Sequence, residues 1–96
     1  MIEVRETPEF RAWLTGLRDA RAVARIAARV RRLIFGNPGD VKPVGGGLSE
    51  LRIDYGPGYR VYFARRGAAL IIVLGGGDKT TRARDIKHAK ALAEKL

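Results

Sequence analysis

Two alternating stretches on either side of a glycine-rich turn constrain the fold of this chain more than any other feature. The stretch "SELRIDY" (49–55) alternates apolar and charged residues, and "YRVYFARR" (59–66) continues the alternation after Gly-Pro-Gly at 56–58. A period of two is typical of a β-strand with one buried face, and glycine and proline favour a tight turn between strands. The pattern predicts a β-hairpin with Arg52 and Arg60 as outward-facing neighbours on adjacent strands.

The segments around this hairpin predict an α+β fold in the order β-α-α-β-β-β-α. "IEVRET" is a short strand, Thr7-Pro8 begins the first of two closely joined helices, "ALIIVLG" is a central strand, and 81–95 is a final helix. We expect one domain, 1–96, with an antiparallel sheet, a helical hairpin on one sheet face and a C-terminal helix that covers part of the other. The glycine-containing segment before residue 48 is predicted to be a loop.

The charge balance indicates a polyanionic partner. Nineteen Lys and Arg residues oppose ten Asp and Glu, which gives a net charge of +9 and a pI near 10.9. Such a surplus in a small domain suits nucleic acid, an anionic membrane or an acidic protein, and most of the cations are arginines, which bind phosphate in a planar, bidentate way. The chain has no cysteine, no spacing typical of metal ligands, no signal-peptide core and no apolar run long enough to cross a membrane. We therefore expect a cytoplasmic protein without a metal or cofactor.

The outward face of the hairpin is the candidate site. Arg52 and Arg60 share it, and Lys79 follows the central strand at the end of the same sheet. Like charges placed side by side destabilise a sheet, so their presence favours a phosphate-binding function. The alternative is a solvated surface on which Glu50 and Asp54 pair with the arginines. Four further residues are candidates for nucleic-acid contact, namely Lys42, Tyr62 (by stacking on a base), Arg82 and Arg84.

The quoted hairpin, together with "VLGGGDKTTRARDIKHAKAL", resembles the RelE/ParE toxin superfamily, and within it the HigB-like branch of addiction module killer proteins. The resemblance implies a small basic toxin that is neutralised by an antitoxin, often a helix-turn-helix protein. RelE-like members cleave mRNA in the ribosomal A site without a metal, and this is the first hypothesis. ParE-like members inhibit DNA gyrase instead, and a third possibility is a basic partner that modulates a repressor without activity of its own.

The resemblance also implies roles for individual residues. Arg52 matches a basic catalytic position on the strand before the turn, Arg60 matches the arginine after the Gly-Tyr pair, and Lys79 matches a basic residue after the last strand. RelE has a catalytic tyrosine near its C terminus, and the final helix here has none. His88 is therefore a further catalytic candidate, because histidine exchanges protons near neutral pH.

Overall fold

The computed structural model describes residues 1–96 and confirms the α+β class. The strands are β1 (Glu3–Glu6), β2 (Val41–Gly45), β3 (Leu48–Ile53), β4 (Tyr59–Arg66) and β5 (Leu70–Gly77); the helices are α1 (Pro8–Thr15), α2 (Ala20–Arg31) and α3 (Arg82–Glu94). Short 3₁₀ turns follow α2 at Arg32–Phe35 and precede α3 at Lys79–Thr81. No helix is both long enough and apolar enough to span a membrane.

The five strands form one sheet in the order β1-β5-β4-β3-β2. Strands β2 to β5 are antiparallel neighbours, whereas β1 pairs with β5 in parallel. Arg52 lies directly opposite Arg60 in the β3–β4 register, which confirms the predicted hairpin and its pairing. The expectation of a loop before residue 48 is wrong for 41–45, where β2 is an edge strand that tolerates a proline because one side of it has no partner.

The helix starts follow the capping residues in the sequence. The Thr7 hydroxyl accepts a hydrogen bond from the Phe10 amide at 3.1 Å, and the Asp19 carboxylate accepts bonds from the first amides of α2. These caps satisfy amides that have no partner inside the helix. The apolar stripes of α1 and α2 then pack on one sheet face in a cluster of thirteen buried residues that includes Phe10, Ile26 and Leu51.

The other sheet face carries a second, smaller core beneath α3. Its six buried residues include Tyr62, Leu74 and Ala89. Small alanine side chains let the helix approach the strands closely. Tyr62 is fully buried there, so the expectation that its ring stacks on an RNA base is wrong. The residue lies on the outward face of the hairpin, as predicted, but α3 covers that face.

Candidate anion-binding site

An open cavity of about 410 Å³ lies at the end of the sheet where β3 turns into β4. Its lining residues are Asp40, Arg52, Ile53, Asp54, Gly56, Pro57, Gly58, Arg60 and Lys79. Arg52, Arg60 and Lys79 thus come together around one space. Two carboxylates share that space with them, so the cavity carries both signs of charge.

Arg52 is held by Asp40 on the cavity wall. Its Nη2 and Nε donate to the same carboxylate oxygen of Asp40 at 2.9 and 3.3 Å. This hydrogen bond is the main reason that the pKa of Asp40 is lowered. The Asp40 side chain is exposed and the Arg52 side chain is partly exposed, so the pair is weak and an incoming anion can compete for the guanidinium.

Arg29 of α2 supports this wall from behind. Its guanidinium donates to the carbonyl of Arg52 at 2.8 Å and to the carbonyl of Pro38 at 3.0 Å. Burial lowers the pKa of this guanidinium. The residue therefore joins α2 to the segment that carries Asp40 and to the strand that carries Arg52.

Arg60 is less exposed than Arg52. Its side chain is 15% accessible, and its Nη1 donates to the Gly58 carbonyl at 2.7 Å. The Arg60 Nε lies 3.5 Å from the Glu50 carboxylate without forming a hydrogen bond, and it is a buried nitrogen with no partner. Most N–H groups of the Arg60 guanidinium therefore have no acceptor within the chain.

Lys79 approaches Arg60 across the turn glycine. A β-carbon added to Gly58 would lie 3.2 Å from Arg60 Nη1 and 3.5 Å from Lys79 Cβ, and Gly58 has a φ of +81° that favours glycine. The Lys79 side chain is exposed and forms no ion pair. Asp78 orients this segment by capping the 3₁₀ turn, since its carboxylate accepts from the Thr80 amide at 2.8 Å.

Glu50 is a buried carboxylate behind the cavity that sequence reasoning treated only as a possible surface partner. It is 1% exposed on β3. Arg82 Nε donates to it at 2.7 Å and the Tyr62 hydroxyl at 3.1 Å. Burial, followed by the nearby Glu50 charge, raises the pKa of Tyr62. The sequence contained a signal for this role, because Glu50 lies on the same face of the hairpin as Arg52 and Arg60.

Three other predicted residues lie outside the cavity lining. Lys42 is exposed on the edge strand β2, His88 is exposed on α3, and Arg84 is exposed at the start of α3 beside Asp85 at 3.6 Å. Arg82 faces Glu50 and is therefore partly neutralised. No group of three or more His, Cys, Asp and Glu side chains is arranged to hold a metal ion.

The arrangement suits recognition of a phosphate. Arginine and lysine donors converge on a space open to solvent, and charge-assisted hydrogen bonds from such donors are the strong ones. The turn glycines leave room for a ligand backbone to approach. The cavity is therefore a candidate anion site. It contains the Lys79 ammonium, which has no ion pair, the Arg60 guanidinium, which has unused donors, and the Arg52 guanidinium, which an anion would have to displace from Asp40.

Comparisons with known proteins identify the family and the fold. Residues 12–96 match the family described as phage derived protein Gp49-like. An uncharacterised protein of Haemophilus influenzae is 52% identical over 95 residues, which cover 99% of this chain and 96% of that protein. The fold is similar to a chain in the crystal structure of the toxin–antitoxin complex RelBE2 from Mycobacterium tuberculosis, with a TM-score of 0.65 and 20% identity over 81% of this chain and 98% of that one.

Proposed function

The chain belongs to the Gp49-like family of phage-derived proteins, and we propose that it is the toxin of a type II toxin–antitoxin pair that cleaves mRNA on the ribosome. Its fold is shared with a chain of a toxin–antitoxin complex. The observation that carries the proposal is the convergence of Arg52, Arg60 and Lys79 on one cavity. Within the superfamily we place the protein in the HigB-like branch, with a helix-turn-helix antitoxin as its partner and the cytoplasm as its location.

The proposed reaction needs no metal. The 2′-hydroxyl of the RNA loses its proton to a base and attacks the adjacent phosphorus, so that a 2′-oxygen–phosphorus bond forms and the bond to the 5′-oxygen breaks. The leaving oxygen takes up a proton, and the products are a 2′,3′-cyclic phosphate and a 5′-hydroxyl. Charge accumulates on the phosphoryl oxygens, and fixed cations that face this charge supply a large share of catalysis.

The cavity residues divide these tasks according to their surroundings. Arg60 has donors without acceptors and is our candidate for binding the phosphoryl oxygens. Arg52 joins it when the RNA displaces Asp40. Lys79 is exposed and unpaired, which suits proton transfer or contact with a neighbouring phosphate.

The test follows the wild-type protein and two cavity variants, Arg60→Ala and Lys79→Ala, after induction in cells and with purified ribosomes and mRNA. We expect the wild type to halt translation and to produce new mRNA ends within the translated frame, and each variant to lose about 10²-fold or more of its cleavage rate. Arg5→Ala is the matched control, because Arg5 lies on β1, outside the cavity. Unchanged mRNA ends accompanied by defective DNA supercoiling would refute the proposal and favour gyrase as the target.

A further inference from the structure

Glu50 carries a buried negative charge that has no role in the mechanism proposed above. Transfer of a carboxylate into a protein interior costs several kcal/mol unless cations and hydrogen bonds offset it. Here two arginines supply the positive charge, Arg82 at 2.7 Å and Arg60 at 3.5 Å. The two guanidiniums approach the same oxygen of one carboxylate.

The two arginines are held differently. Arg82 forms hydrogen bonds with Glu50, whereas Arg60 is attracted to it without forming one. The Arg60 guanidinium is thus fixed at the Gly58 carbonyl and drawn toward Glu50, but it keeps its remaining donors for another acceptor. Because Arg60 also lines the cavity, the Nη donors that have no partner can bind an anion that enters from solvent.

We propose that Glu50 is a positioning residue that acts through Arg60. Its buried charge keeps the Arg60 guanidinium at the rear of the cavity, oriented toward the phosphate, while Arg82 occupies the hydrogen-bonding positions that Arg60 would otherwise take. This inference rests on the proposed ribonuclease function, and it adds a residue that does not itself line the cavity.

The test is a double-mutant cycle between Glu50 and Arg60, measured as the rate of ribosome-dependent mRNA cleavage. Glu50→Gln keeps the shape of the side chain and removes its charge. We expect it to lower kcat about 10- to 100-fold, with a much smaller change in KM, as expected for a displaced catalytic group. In an Arg60→Ala background the same substitution should change kcat less than about two-fold, because residues that act as a unit are not additive.

A second measurement does not depend on catalysis. Hydrogen exchange of the Arg60 Nε–H, followed by NMR, should be slow in the wild type, where this nitrogen is buried, and faster in Glu50→Gln. If Glu50→Gln does not fold, Glu50→Asp replaces it in both experiments. Glu50→Asp keeps the charge one methylene farther away and should show an intermediate loss of kcat.

The outcomes separate the two proposals. Equal losses from Glu50→Gln in the wild-type and Arg60→Ala backgrounds, or unchanged Arg60 exchange, would overturn the positioning role while the ribonuclease function stands. A wild-type protein that does not cleave mRNA on ribosomes would overturn both.

Discussion

Replacing Asp40 by Asn should make the protein bind single-stranded RNA more tightly. The only ion pair of Arg52 is with Asp40, and Arg52 Nη2 lies 2.9 Å from the Asp40 carboxylate oxygen. The amide of Asn keeps the size of the side chain and removes its charge. Arg52 then becomes free to neutralise a phosphate, and the cavity gains one available cation.

The magnitude follows from counterion release. Each phosphate neutralised on a single strand adds about −0.7 to the slope of log K against log salt. One additional cation should therefore steepen the slope by about 0.7 and strengthen binding about four-fold near 0.15 M salt. The change is small in energy, so the slope is a better measure of it than one affinity.

The assay is fluorescence anisotropy of a labelled single-stranded RNA, titrated at several salt concentrations. Asp54→Asn is the matched control, because Asp54 also lines the cavity and its substitution removes the same charge without releasing an arginine. The double variant Asp40→Asn/Arg52→Ala should lose the gain in slope. Lys79→Ala alone should make the slope shallower by about 0.7, since Lys79 is already unpaired.

Two results would refute this reasoning. If Asp40→Asn leaves the slope unchanged, Arg52 does not reach a phosphate even when it is free. If Asp54→Asn steepens the slope equally, the effect comes from net charge near the cavity and not from the release of Arg52.

Three further predictions concern residues outside the cavity lining. Tyr62→Phe should make the free energy of unfolding less sensitive to alkaline pH. The folded pKa of Tyr62 is raised, so the stability that its hydroxyl contributes is complete below the unfolded pKa near 10. This stability disappears as the pH rises above that value, at up to about 1.4 kcal/mol per pH unit. Urea unfolding from pH 8 to 11 measures this, and parallel curves for the two proteins would contradict it. Gly77→Ala should lower the melting temperature by several degrees, because the added methyl overlaps the Asp85 carboxylate; an unchanged melting temperature would show that α3 yields without cost. His88→Ala should retain mRNA cleavage within about two-fold, because His88 is exposed on α3 and does not line the cavity, and a 10²-fold loss would restore it as a proton donor.

The candidate site shows how far sequence patterns reach. Alternation around the Gly-Pro-Gly turn was sufficient to predict that Arg52 and Arg60 are neighbours, since strand pairing next to a tight turn leaves little freedom of register. Lys79 was predicted to join them because it follows a central strand of the same sheet. The strand β2 escaped prediction because proline and glycine, which mark loops in most contexts, occupy it at an edge.

Local periodicity establishes which face of a strand a residue occupies, and for this chain it was sufficient to predict the hairpin and the shared face of the cavity arginines. It does not establish what covers that face. The burial of Tyr62, the pairing of Glu50 with Arg82 across 32 positions and the capture of Arg52 by Asp40 arise from contacts between elements distant in the chain. Such contacts depend on where α3 and the segment before β2 pack, and packing is a property of the assembled molecule because each element finds its partner only when the others are in place.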